Sequence, residues 1–350
     1  MIKIGKKIIK EGKTFVVAEM SGNHNGKLSR ALNIIKAAKR AGADAIKLQT
    51  YRADTITLNS DKKDFLINNL SKNSEWKKFK TFNNIYKYGS TPWEWHKKLF
   101  LFARKLKLEI FSSPFDESAV DFLEGLNCPA YKIASPEITH IPLLEKVAKT
   151  KKPIIISTGL ALEKDIKLAI KTVKKLKNSK IILLKCNTSY PSPIEEGNLL
   201  NIKYLSHKYK TLVGYSDHTK DNISSITAVA LGAVFIEKHL NLNDNKKTID
   251  SFFSTKEDEF RNLIASIRKV EKIKGNFKYI LSSSSRKNFK GRRSIYVSKE
   301  IKKNEIITQK NIKVVRPGTG LHPKFFRKVL GRKSRKKLFL GERLSLKNIY

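Results

Sequence analysis

Two histidines, three lysines and one glutamate occupy comparable places in this chain, each in or at the end of a short apolar run. His218 closes Y-S-D-H and His239 closes I-E-K-H. Lys47, Lys132 and Lys185 lie within A-I-K-L-Q-T, Y-K-I-A-S and I-I-L-L-K-C, and Glu19 ends F-V-V-A-E. Two imidazoles on one rim suit a shared divalent cation. Only two protein nitrogens leave positions open for water and substrate oxygens, the catalytic rather than the structural pattern. The alternative is that each ring only hydrogen-bonds to its surroundings. A lysine inside an apolar strand needs an anion, because a buried ammonium is costly unless paired. A phosphate together with a carboxylate supplies enough charge for two or three of them. Ser157, Ser216 and Ser135 add short donors to phosphate oxygens. Ion pairs with Glu137 or Glu237 are the competing account of the lysines. Glu19 suits a metal-bound water, or else pairs with a nearby lysine. A Schiff-base aldolase would also use a strand lysine, but it needs no metal, and the histidine pair argues against it.

The elements that must position these groups are legible too. Eight Val/Ile/Leu-rich runs start near residues 15, 45, 109, 131, 153, 181, 212 and 234. Continuous apolar runs of this kind read as parallel strands buried on both faces. Segments of helical periodicity lie between them, among them Ser29–Ala41, Glu94–Leu106, Ser118–Leu126, Ile141–Lys149, Glu163–Lys177 and Asn222–Leu231. The spacing predicts an α/β fold, a (β/α)₈ TIM barrel with its chemistry on the carboxyl-terminal rim. Residues 51–93 form an insertion after the second strand, and by that logic a long rim loop where specificity is set. G-N-H-N-G (22–26) reads as a substrate-lining turn, with phosphate binding through its amides as the other option. Trp93 and Trp95 either stack on a sugar face or pack in the core. Cys186 reads as a packed thiol. A closing amphipathic helix is expected over Lys256–Lys274. Beyond it the barrel domain, 1–280, passes through a linker, 281–287, into a small mainly β domain, 288–350, with strand-like pieces at 294–298, 312–316 and 338–340.

The chain has 350 residues and a formal charge of +41, and residues 286–350 carry 21 Lys/Arg against 3 Asp/Glu. Such charge attracts phosphates, nucleic acid or acidic lipid. The lysines are scattered over helix faces with few aromatics among them, and no recognition motif accompanies them, so specific nucleic-acid binding is not expected. No run of eighteen apolar residues occurs, which excludes a membrane-spanning helix. The first fifteen residues do not read as a signal peptide. Two cysteines without metal-ligand spacing fit a reduced, cytoplasmic setting.

Read together, A-E-M-S-G-N-H-N-G, K-L-Q-T, F-S-S-P-F-D, Y-K-I-A-S, S-T-G, G-Y-S-D-H-T and I-E-K-H resemble the sialic-acid synthase family over nearly the whole chain. R-R-S-I (292–295) and R-P-G-T-G-L-H-P (316–323) are similar to its C-terminal antifreeze-like, or SAF, domain. T-P-W-E-W-H, A-D-T-I-T-L-N and D-S-F-F-S look most like the pseudaminate branch, with the neuraminate and legionaminate branches as alternatives. The resemblance implies condensation of phosphoenolpyruvate with an acetamido sugar, giving a nine-carbon 2-keto acid and phosphate. It further implies His218 and His239 as ligands of a divalent ion, Mn²⁺ first, with Mg²⁺ or Co²⁺ also compatible. Lys47, Lys132, Ser157 and Ser216 match positions that hold phosphoenolpyruvate, and Glu19 matches the acid beside a metal-bound water. Gln49, Ser135, Glu137, Lys185, Thr188, Tyr190 and Asp250 carry over as further substrate-binding positions. A homodimer is implied in which the SAF domain of one subunit covers its partner's barrel mouth, with Arg293 reaching the sugar and Arg292 the near alternative. The chain departs from the family's pattern at Pro136, Asn187 and Thr188, all near the sugar.

Overall fold

The computed structural model describes residues 1–67, 75–275 and 278–350. The chain divides into two compact units, Met1–Gly275 and Asn276–Tyr350.

The first unit opens with an antiparallel hairpin, β1 (Ile2–Ile4) and β2 (Lys7–Ile9). The alternating Lys/Ile pattern of the N-terminus builds it, burying Ile2, Ile4 and Ile9. Eight parallel strands then close on themselves: β3 (Phe15–Glu19), β4 (Ala45–Thr50), β5 (Glu109–Pro114), β6 (Tyr131–Ile133), β7 (Ile154–Ser157), β8 (Ile181–Cys186), β9 (Leu212–Asp217) and β10 (Phe235–Asn241). Each pairs with the next, and β10 pairs with both β9 and β3, so the ring has no free edge. Every strand is buried along nearly its whole length. That is why the sequence shows unbroken apolar runs rather than alternation. A two-residue strand, β11 (Thr255–Lys256), extends β10 outside the ring.

Helices follow the strands, as the periodicity predicts. Leu28–Ala41 ends where Gly42 takes φ +90°, and Glu117–Gly125 starts from an Asp116 cap that accepts from the Ala119 amide at 2.9 Å. The helix Asn201–Tyr209, between β8 and β9, was not among those the periodicity singled out. The insertion after β4 is not a bare loop. It carries the helices Ala53–Ile56 and Phe82–Gly89, the second capped by Thr81. The closing helix runs over Glu257–Lys274.

In the second unit β12 (Ser294–Val297) pairs antiparallel with β13 (Ile312–Val315) over a core that includes Ile295, Val297, Ile301 and Leu338. The run expected as a strand at 338–340 is instead a single bridge, Leu338 to Ile301, followed by the turn at Gly341. A short helix, Ser283–Lys287, occupies the stretch read from sequence as linker.

Candidate active site

The carboxyl ends of β3, β4, β6, β9 and β10 bring the predicted groups together below the barrel mouth. His218 follows β9 directly and His239 lies within β10, and their ring centroids are 5.5 Å apart. Gly214 lets these strands meet closely, since a Cβ there would sit 2.3 Å from the Phe235 carbonyl oxygen. Nδ1 of His218 lies 2.7 Å from the Asn187 carbonyl, to which an N–H donates, leaving Nε2 with a free lone pair. Nδ1 of His239 is buried without a hydrogen-bond partner among the described residues. Burial, then the neighbouring His218, holds His239 well below the usual imidazole range, so it is neutral and able to ligate. No cluster of three or more His, Cys, Asp or Glu side chains suited to a metal occurs among the described residues. A divalent ion held by the two imidazoles would need its remaining ligands from water and substrate.

The two histidines share a second support. Alternation along a strand sends the preceding residues, Asp217 and Lys238, to the outer face. There Lys238 Nζ donates to Asp217 Oδ2 at 2.9 Å and to the Thr219 carbonyl at 2.7 Å, with both side chains almost fully buried. Asp217 also accepts from Ser225 Oγ at 2.6 Å. This buried pair joins the two histidine strands.

Beneath the histidines the lysines already have anions. Lys47 forms ion pairs with Glu19 and, at 3.5 Å, with Glu237, and donates to Ser113 Oγ at 3.2 Å. Lys132 donates to Glu237 Oε1 at 3.0 Å, and Ser216 Oγ reaches the same oxygen at 3.3 Å. The ion-pair account is thus correct for Lys47 and Lys132, through Glu19 and Glu237. Among the described residues Lys185 has no carboxylate partner; it donates to the Cys186 carbonyl at 3.0 Å and to Asn187 Oδ1. Glu237 is the residue that sequence reasoning treated only as a competing partner, although it is the central counter-charge here. Its signal was available, an acidic residue two positions before His239 inside an apolar strand.

The electrostatics divide the two acids. Burial pushes Glu237 up, but Lys132 and then Lys47 outweigh it and hold it at about 2, fully ionised. Burial raises Glu19 despite the pull of Lys47, with Glu237 adding to the rise. A buried carboxyl held above its ordinary range is suited to moving a proton. Lys47 remains charged, because Glu19 and Glu237 overcome the effect of its burial.

Above this floor lies a cavity of about 290 Å³, near the lower end for small-ligand sites. Gln49, Glu137, Thr188, Tyr190, His239 and Asp250 all line it. Glu137 Oε2 and Thr188 Oγ1 are buried there without partners, and so is Ser157 Oγ at the end of β7. Such atoms are costly to leave unmade and mark where a ligand's polar groups belong. Burial lifts Glu137 to about 7. Asp250 accepts from Ser21 Oγ at 2.6 Å, tying the loop after β10 to the turn after β3. Gly22 in that turn is required, since a Cβ would come within 2.3 Å of Ile249. Ser135 Oγ is already engaged by the Gly159 amide at 2.9 Å. Tyr190 packs against His218 at a tilt of 47°, with ring centroids 4.5 Å apart.

Other expectations resolve toward packing. Trp93 stacks on Phe122 and Trp95 meets His24 edge-on, and neither lines the cavity, whereas Trp76 from the insertion does. Cys186 is buried, with Sγ 3.8 Å from His218 Nδ1. Arg293 lies in the second unit, exposed, with Nη1 donating to the Val314 carbonyl at 3.1 Å. No helix among the described residues is long and apolar enough to cross a membrane.

Comparison with known proteins identifies the family. Residues 34–279 match the NeuB family and residues 292–349 match the SAF domain. A pseudaminic acid synthase of Campylobacter jejuni subsp. jejuni (strain 81-176) is 44% identical over 95% of this chain and 95% of its own. A pseudaminic acid synthase of Helicobacter pylori is 42% identical over 95% and 97%. Among solved structures, the N-acetylneuraminic acid (sialic acid) synthetase of Leptospira borgpetersenii, in complex with citrate, superposes with a TM-score of 0.72 at 31% identity, covering 82% of this chain and 94% of that one. The chain belongs to the NeuB family and carries a C-terminal SAF domain.

Proposed function

We propose that this chain is a pseudaminic acid synthase, condensing phosphoenolpyruvate with 2,4-diacetamido-2,4,6-trideoxy-L-altrose to a nine-carbon 2-keto acid and phosphate. The observation that carries this reading is the pairing of a buried cationic floor with partnerless polar atoms beside a histidine pair, on a chain 44% identical to a synthase of that name.

In this reading Lys47, Lys132, Ser157 and Ser216 hold the phosphate and carboxylate of phosphoenolpyruvate. Glu237 keeps the lysines charged and pre-positioned before substrate arrives, so little reorganisation accompanies binding. Lys185 supplies the cation that no protein carboxylate neutralises. His218 and His239 would hold a divalent ion, which supplies Lewis-acid polarisation of the sugar aldehyde. The enol carbon C3 of phosphoenolpyruvate forms a bond to the aldehyde carbon, and the carbonyl π pair moves to the aldehyde oxygen, an alkoxide that becomes a hydroxyl on taking up the proton that the added water releases to Glu19. C2 is left as an oxocarbenium, to which water adds. Glu19, raised by burial, takes the proton from that water. The C2–O bond to phosphate then breaks as the C2 hydroxyl gives its proton to the departing phosphate, leaving the C2 ketone and inorganic phosphate.

Assembly belongs to the same reading: a homodimer in which the SAF unit of one subunit covers its partner's mouth and brings Arg293 to the sugar. An Arg293→Ala protein should then lose sugar affinity while keeping its sedimentation as a dimer.

The test is phosphate release from phosphoenolpyruvate with a panel of acetamido sugars, with added Mn²⁺ and with a chelator. Release with the trideoxy altrose sugar that chelation abolishes is the expected result. N-Acetylmannosamine or a legionaminate precursor turned over faster would move the assignment to a sister branch. No release with any sugar plus Mn²⁺ would remove the synthase reading.

A further inference from the structure

The cavity has a second side that the phosphoenolpyruvate chemistry leaves unexplained. Tyr51, Ile56, Ile85, Tyr86, Phe115 and Ile249 line it with apolar surface. Tyr51 meets Phe115 edge-on at 5.1 Å and Tyr86 at 5.9 Å between ring centroids, so the rings form one connected face. Four of the six, Tyr51, Ile56, Ile85 and Tyr86, come from the insertion after β4. Phe115 directly follows β5.

The strand order fixes where this face stands. In a closed ring running β3 to β10, β5 lies four strands from β9 in either direction, and β4 lies four from β8. Phe115 therefore rises from the rim across the mouth from His218, and Tyr51, after β4, stands three strands from β9. His239 and the apolar face line one cavity.

We propose that this far wall recognises the deoxygenated end of the sugar. The inference rests on the reading that the aldehyde carbon, C1, reacts beside His218 and His239. C6 is the carbon farthest from C1 along the chain, so a sugar with C1 at the histidines extends its C6 end toward Ile56, Ile85, Tyr86 and Phe115. In a 6-deoxy sugar that end is a methyl group, which an apolar wall accepts without loss. A 6-hydroxyl would be desolvated there with no partner on the isoleucine and phenylalanine side chains. Glu137, Thr188 and Asp250, on the same cavity, remain for the hydroxyls and amide N–H groups. The wall therefore selects deoxygenated acetamido sugars as a class over N-acetylhexosamines that keep their 6-hydroxyl. An apolar pocket rejects an added hydroxyl only moderately, by about 100-fold.

The experiment compares kcat/KM for the trideoxy diacetamido sugar with that for its 6-hydroxy counterpart, in wild type, Ile85→Thr and Ile56→Thr. Ile56 is only partly buried, so its variant should fold even if Ile85→Thr does not. The expected result is a wild-type preference for the 6-deoxy sugar of about 10- to 100-fold. Each variant should lower it several-fold, with KM for phosphoenolpyruvate unchanged. Equal turnover of both sugars by wild type would overturn the inference while leaving the synthase reading intact. A preference that neither variant alters would overturn it as well. No turnover of any acetamido sugar would overturn the reading itself, and this inference with it.

Discussion

The floor of the cavity and its far wall are built in different ways. The floor takes Glu19, Lys47, Lys132, Glu237 and His239 from strands locked on both sides by the barrel ladder, and His218 from the position next to β9, where the Asn187 carbonyl holds its ring. The far wall is made of residues from the insertion after β4, from the position after β5 and, at Ile249, from the loop after β10. Chemistry that must hold charges within a few tenths of an ångström belongs on the rigid part, whereas recognition of a variable sugar belongs on connections that can change without disturbing the ring.

That division predicts graded consequences. Replacing His218 by Ala should abolish phosphate release, and the same loss should follow chelation. Retained activity in either case would remove the metal from the floor's role. Next in size, Glu19→Gln should lower kcat by about 10²- to 10⁴-fold with little change in KM for phosphoenolpyruvate, as loss of a positioned base does. A change confined to KM would make Glu19 a binding group only. Lys238→Met should leave Asp217 buried and unpaired, lowering unfolding free energy by about 3–5 kcal/mol in a denaturant titration. If instead stability is unchanged, the outer-face pair does not hold the histidine strands.

The smallest effect concerns Glu137, on the sugar side. Its folded pKa, about 7, lies above its unfolded value near 4.5, so the folded state disfavours the ionised form. Stability relative to Glu137→Gln should therefore be fully present below about pH 4.5. It should fall as pH rises toward 7 and then level off. A pH-independent difference in melting temperature between the two proteins would contradict that assignment.

The same contrast explains what was readable in the sequence. The strand runs, the histidine positions and the in-strand lysines follow from burial on both faces, a local pattern that leaves its mark on each segment. Glu237 was visible in I-E-K-H, yet its role as shared partner of Lys47 and Lys132 depends on three strands meeting across the barrel, which no single segment displays. Trp93 and Trp95 suggested a sugar platform by type alone, but their helix turns them against Phe122 and His24. Trp76, less conspicuous in sequence, lines the cavity instead. The apolar wall was illegible for the same reason: Ile85 and Phe115 are ordinary apolar residues until the fold brings them to the cavity that His239 lines. The N-terminal hairpin and the helix Asn201–Tyr209 were likewise set by tertiary packing.

The most direct test of the central claim is calorimetric titration of phosphoenolpyruvate alone, without sugar, into three proteins. These are wild type, the double variant Lys132→Met with Glu237→Gln, and Ile85→Thr. The account predicts saturable binding to wild type and to Ile85→Thr, and loss of binding in the double variant, which keeps no unpaired buried charge at those two positions. Undiminished binding by the double variant, or loss of binding in Ile85→Thr, would contradict the separation of a phosphoenolpyruvate floor from a sugar-selecting wall.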